Sequence, residues 1–175
     1  MILSVSCRPR RVSVARCGAR LAFALFLGVS SVAHAQTPVG TFASVIALAV
    51  ADDAAVSGFY RDHEYATLWT GATDGARRAA LFAALDSADD HGLPVSRYDA
   101  AGLRARFAHV SSEAQRARLE LAVTRVFLTY AADVQTGFLT PANVDSGIVR
   151  TVPLRDPRAT LDAFAAANPA AFIAS

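Results

Sequence analysis

The residues of this chain that could do chemistry are few and widely spaced. Beyond position 35 the histidines are His63, His91 and His109. None belongs to a His-x-x-x-His or His-Glu-x-x-His pair, the spacing that puts two imidazoles on one helical face for a metal ion. His63-Glu64 and Asp89-Asp90-His91 are the acid–His neighbours. Adjacent helical residues point about 100° apart, so these groups read as solvated or capping charges. Carboxylates for glycosidic chemistry must face one cleft, and Asp52-Asp53 and Asp89-Asp90 are more simply helix-end charges. The serines fall in no Gly-x-Ser-x-Gly or Ser-x-x-Lys pattern, and no phosphate-cradling glycine loop occurs. Cys7 and Cys17 both lie near the N-terminus, so the rest of the chain has no thiol for catalysis, disulfides or metal. No catalytic residue, metal ligand or cofactor is expected.

Three residues remain as binding candidates, each with a structural reading beside the functional one. The lone tryptophan, Trp69, could stack on a sugar face; the simpler role is a core anchor with one partner for its indole N–H. Asp133 and Gln135 close the longest helical pattern. They could hold a ligand, but a side-chain oxygen there is suited to accept from backbone amides of the following Thr-Gly turn.

Residues 1–35 have the layout of a cleaved export signal. Arg8, Arg10, Arg11, Arg16 and Arg20 form a basic start, residues 21–32 an apolar stretch, and Ala33-His34-Ala35 a small-x-small site with cleavage after Ala35. The stretch is shorter than the ~20 residues a membrane span needs. A periplasmic location, with no stable span after cleavage, is the expectation. Removing the signal takes five of the 17 basic residues and none of the 15 acidic ones, so the net charge turns negative and nucleic acid is not an expected partner.

Beyond a linker at 36–43 the chain is helical in pattern. Val45, Leu48 and Ala49 begin an apolar stripe that Val56, Phe59 and Tyr60 continue, with Asp53 as a cap between two helices. Asp74 opens a helix carrying Leu81, Phe82, Leu85 and Ala88, which Gly92 and Pro94 close. Asp99 caps a short helix with Leu103, Phe107 and Val110. Ser112-x-x-Gln115 reads as a capping box. The helix after it has Leu119, Ala122, Val123, Val126, Phe127, Tyr130 and Val134 on one face, with Arg116, Glu120 and Arg125 off it. Asp156-Pro157 starts another helix with Leu161, Phe164 and Ala165, and Asn168-Pro169 ends it. Residues 147–153 are the one extended candidate. The expected fold is all-α, a single domain of about five to seven helices over 44–175.

The order of the turn motifs resembles the N-terminal scaffold domain of murein L,D-transpeptidases. Those motifs are Phe59-Tyr60, then Tyr65-x-x-Leu68-Trp69-x-Gly71, then His91-Gly92-Leu93 with Tyr98, then Asp133-Val134-Gln135-Thr136-Gly137 before Pro141. The resemblance implies a helical scaffold that accompanies a peptidoglycan-binding domain and a cysteine-dependent catalytic domain in peptidoglycan cross-linking. With no Ser-His-Gly-Cys motif here, no catalytic residue carries over, and the chain alone is expected to be inactive. Its pattern stops within a further helix, so a domain truncated at its C-terminal end is expected. The alternative is a stand-alone envelope module that binds peptidoglycan or a partner protein. A cysteine-independent cell-wall hydrolase is a third reading, supported only by scattered acids.

Overall fold

Among the described residues, every α-helix start is marked by a short polar side chain or a glycine, and these marks set the architecture. A computed structural model describes residues 40–138 and 153–174. The described residues form seven α-helices and two 3₁₀ turns with no strand. The α-helices are α1 (Thr41–Ala49), α2 (Ala54–Asp62), α3 (Gly75–Asp86), α4 (Ala100–Ala108), α5 (Glu113–Thr136), α6 (Pro157–Ala166) and α7 (Pro169–Ile173). The 3₁₀ turns span Ala88–His91 and Val95–Tyr98. Asp53 accepts the Val56 N–H at 3.0 Å, Asp99 that of Gly102 at 3.1 Å, Asp156 that of Ala159 at 2.9 Å and Asn168 that of Ala171 at 3.1 Å. Each satisfies an amide the first helical turn leaves free. Asn168 therefore starts α7 as well as closing α6.

At 24 residues, α5 is the axis of the fold, about 36 Å long at 1.5 Å per residue. Helices α1, α4 and α6 pack against it, α2 packs on α1 and α6, and α7 on α3. Because it is surrounded, α5 buries residues on more than one face: Leu119, Val123 and Phe127, and also Ala117, Glu120, Leu121 and Thr124. Glu120 therefore sits in the core and not off the apolar face, while Val134 is 46% exposed.

Three other expectations shift. In α1 the buried side is Phe42, Ile46 and Val50, and Leu48 is 82% exposed. Almost every residue from 42 to 50 is apolar, so periodicity there cannot select a face. Helix α3 stops at Asp86, before Gly92. The Ser87 hydroxyl turns back on the Ala83 carbonyl at 3.0 Å, and Ala88–His91 tightens to a 3₁₀ turn ending at Gly92, φ +71°. The capping box is also altered: Ser112 accepts from Gln115 N–H, but Gln115 Oε1 takes the amide and hydroxyl of Ser111. Of the extended candidate, residues 147–152 lie outside the described residues.

Helix α2 ends in a motif that sets the course of the next segment. Tyr65 N–H donates to the Tyr60 carbonyl at 2.7 Å and Glu64 N–H to that of Arg61 at 3.1 Å, the paired bonds of a Schellman C-terminus. This places Glu64 (φ +53°) and Tyr65 (φ +58°) in the left-handed region, at a cost of about 1–2 kcal/mol for a residue with a Cβ. Glu64 is exposed and its charge faces the negative end of the helix dipole. Glu64→Gly is therefore expected to stabilise the protein by about 0.5–1 kcal/mol. Urea unfolding would show a higher midpoint at unchanged slope; a lower midpoint would refute the strain.

Candidate functional site

Residues 65–71 leave the Schellman turn with no helix or strand to satisfy their backbone, and α5 supplies the partner. Glu120 Oε1 accepts the amide of Leu68 at 2.6 Å and Oε2 that of Thr70 at 2.9 Å. The Trp69 amide lies between the two oxygens, at 3.2 and 3.3 Å. The Thr70 hydroxyl donates to Oε2 at 2.7 Å and the Tyr60 hydroxyl to Oε1 at 3.1 Å. One carboxylate thus gathers three amides and two hydroxyls, and it is fully buried. Burial pushes the Glu120 carboxyl up from its ordinary range, and the bonds from Thr70, Leu68 and Tyr60 pull it back without cancelling the shift. Burial, then the Glu120 charge, raises the Tyr60 phenol well above its usual value, so Tyr60 stays a donor.

The carbonyls of the same turn face α3. Arg78 donates to the Trp69 carbonyl at 2.6 Å and to that of Gly71 at 3.1 Å. The Gly71 amide donates to Asp74 at 2.8 Å. A Cβ on Gly71 would collide with Thr67 Oγ1 and Asp74 Oδ2, so the glycine of the motif is there for close approach.

Trp69 is the anchor of the core. Its ring stacks on Phe164 at 5.2 Å and tilts against Phe127 at 5.4 Å. The indole N–H donates to Thr124 Oγ1 at 2.9 Å, an atom that also lies 2.7 Å from the Tyr60 hydroxyl. With no exposed surface, the ring has no face for a sugar.

Asp133 and Gln135 serve the far end of α5. Asp133, 7% exposed, receives Arg97 Nε at 2.6 Å and the Tyr98 hydroxyl at 2.9 Å. Its carboxylate therefore holds the 3₁₀ turn Val95–Tyr98 and not the amides of the Thr-Gly turn. Burial and the bond to Asp133 raise the Tyr98 phenol. Gln135 does meet loop backbone, but farther along the chain: Oε1 accepts the Arg155 amide at 3.0 Å, and Nε2 donates to the Ala131 carbonyl at 2.8 Å. The three candidates are thus dispersed, Trp69 with Glu120 and the other two near the C-terminal end of α5.

The outer side of the turn borders an open cleft of about 440 Å³, walled by Phe59 and His63 of α2, Thr67, Leu68 and Asp74 of the turn, and Asp162 of α6, among others. His63 Nε2 lies 3.0 Å from Asp162, and Arg158 bridges Asp162 at 2.8 Å and Asp62 at 3.0 Å. His63 and Arg158 hold the Asp162 carboxyl below its ordinary value, and Arg158 does the same to Asp62. Glu120, Thr124 and Arg78 complete the turn, yet no motif in the sequence singles out any of the three. The one available signal is that Glu120 and Thr124 are i, i+4 partners, which puts the two polar groups one turn apart on the same side of the helix. Among the described residues no group of His, Cys, Asp and Glu could hold a metal, and no helix is long and apolar enough to cross a membrane.

These features coincide with a family assignment. A family model described as Scaffold domain matches residues 54–175, and the chain belongs to that family. No curated protein and no solved structure matches it.

The clamp and the charged rim each give a measurable outcome. Glu120→Gln sets an amide donor against backbone N–H groups; leaving buried donors unpaired costs about 1–3 kcal/mol each. A loss of about 3 kcal/mol is expected, read from urea unfolding by the fluorescence of the lone tryptophan. A loss below about 0.5 kcal/mol, the range of ordinary surface changes, would show that the clamp is dispensable. At the rim, Asp62 and Asp162 have depressed values, so their ionised forms contribute stability above the unfolded value of about 3.9. That contribution is lost as pH falls through the lower folded values. Arg158→Gln is expected to shrink the fall in Tm between about pH 5 and pH 2; an unchanged acid limb would refute the linkage.

Proposed function

We propose that this chain is the helical scaffold of an exported L,D-transpeptidase-like protein, holding partner domains around peptidoglycan and making or breaking no bonds itself. The observation that carries the reading is the turn at 65–71. Its Tyr-x-x-Leu-Trp-x-Gly residues are the most distinctive of the ordered motifs, and here they form one rigid device built on Glu120. Membership of the Scaffold domain family supports an architectural role. The basic start, apolar stretch and Ala33-His34-Ala35 site support export to the periplasm, and the lack of any thiol after Cys17 supports dependence on another domain for chemistry. The cleft beside the turn offers a surface on which a partner domain would rest.

The second reading, a free-standing module for peptidoglycan or an envelope protein, has the same cleft in its favour. It has lost Trp69 as its platform, since that ring is buried.

Three measurements test the proposal. Fused to a reporter active only outside the cytoplasm, residues 1–35 are expected to give activity. Incubated with tetrapeptide muropeptides, the purified chain is expected to yield no cross-linked dimer; dimer formation without a partner would sink the scaffold reading. Retention on isolated sacculi by the chain alone would instead favour the binding module.

A further inference from the structure

Most arginines in this fold are neutralised or occupied. Arg77 pairs with Asp74, Arg97 with Asp133, Arg104 with Asp86 and Arg158 with Asp62 and Asp162, while Arg78 caps turn carbonyls. Arg106 of α4, Arg118 of α5 and Arg155 differ: among the described residues none has an ion pair or a side-chain hydrogen bond, and all three are exposed, but only Arg106 and Arg118 come together. They do not stand apart on the surface. Both line one concavity of about 230 Å³ where the end of α4 meets the start of α5, with His109, Val110, Gln115 and Leu119 completing it.

Three properties distinguish this concavity from a solvated charged face. No carboxylate lines it, so Arg106 and Arg118 border it without a counter-charge, which a bound anion would supply. Its base is apolar, with Leu119 buried and Val110 packed against the core. Its neutral donor is oriented: Gln115 Oε1 is held by the amide and hydroxyl of Ser111, both at 2.9 Å, which turns Nε2 away from Ser111 as a free donor. The acids closest in sequence are engaged elsewhere, Glu113 with Arg116 and Glu120 with the turn. The carbonyl end of α4 contributes some negative potential, and the amide end of the longer α5 opposes it.

We propose that this concavity binds a carboxylate carried on an apolar stem, of the kind presented by the C-terminal residue of a short peptide. Planar guanidinium forks match a carboxylate in bidentate geometry, and Val110 and Leu119 accept the stem. A free phosphate shares the anionic chemistry but gains nothing from the apolar base. The assignment does not depend on the scaffold reading, because it uses only the charge and shape of this pocket.

The test is isothermal titration of the full chain at low ionic strength with N-acetyl-Ala-Ala, its C-terminal amide and inorganic phosphate. The free acid is expected to bind, with the amide and phosphate at least about tenfold weaker. Arg106→Ala and Arg118→Ala are each expected to weaken the acid by about tenfold, whereas Arg61→Ala, away from the pocket, leaves it unchanged. Both pocket residues are exposed, so unaltered helical circular dichroism checks that the variants remain folded. Equal binding of acid and amide, equal binding of phosphate, retained affinity in the double variant, or no binding of the acid would each overturn the proposal.

Discussion

Burying a carboxylate costs several kcal/mol unless good hydrogen bonds offset it. Glu120 meets that cost with five donors: the amides of Leu68, Trp69 and Thr70 and the hydroxyls of Thr70 and Tyr60. The same bonds solve a second problem. Trp69 can reach Phe127 and Phe164 only if its own backbone enters the core, and a buried amide without an acceptor is itself expensive. Burial of the indole and burial of the carboxylate therefore depend on each other. Remove the charge, and the three amides lose their acceptor; remove the turn, and the charge lies in an apolar interior.

The pattern recurs at the other end of α5, which gives that helix its character. Asp133 lies 13 residues beyond Glu120, about 20 Å along the axis and on a different side of the helix. It gathers Arg97 and Tyr98 as Glu120 gathers the turn. Each carboxylate fixes a segment that ordinary secondary structure leaves unsupported. The two differ in how charge is matched: Asp133 meets a guanidinium, whereas Glu120 meets only neutral donors, and burial dominates the shift of its carboxyl. Thr124, one turn on from Glu120, extends the first clamp to the indole N–H and to Tyr60. The central helix thus acts as a rod carrying acidic hooks, and the loops hang from it.

Local signals are legible in the sequence because they are local physics. Asp53, Asp99, Ser112 and Asp156 cap where their residue type and position require, and the all-α class comes from apolar spacing. The features that pattern misplaces are those in which distant segments decide. Glu120 reads as a solvent-facing charge because a single helix cannot reveal that a turn some fifty residues earlier brings three unpaired amides to it. The face of α1 is ambiguous because almost all its residues are apolar, and only packing on α5 buries Phe42 and Ile46 in place of Leu48. Asp133 has a turn beside it that it could serve, yet the guanidinium that claims it comes from residue 97. Trp69 falls in between: its rarity marks it as important, and its burial settles whether it serves the core or a ligand.

That distinction bears on how such motifs are understood. A rare aromatic in an ordered turn invites a binding role, but here the central groups of the turn have their partners inside the molecule. Its amides go to Glu120 and Asp74, its carbonyls to Arg78, and its ring to Phe127 and Phe164. The buried ring and the bonded amides therefore serve rigidity. Groups that the turn does not use lie outside it: His63 and Asp162, paired with each other at the half-exposed rim of the open cleft, and Arg106 and Arg118, whose charges meet no acid. The buried motif keeps the geometry constant, and surface positions are left free to determine what that geometry presents.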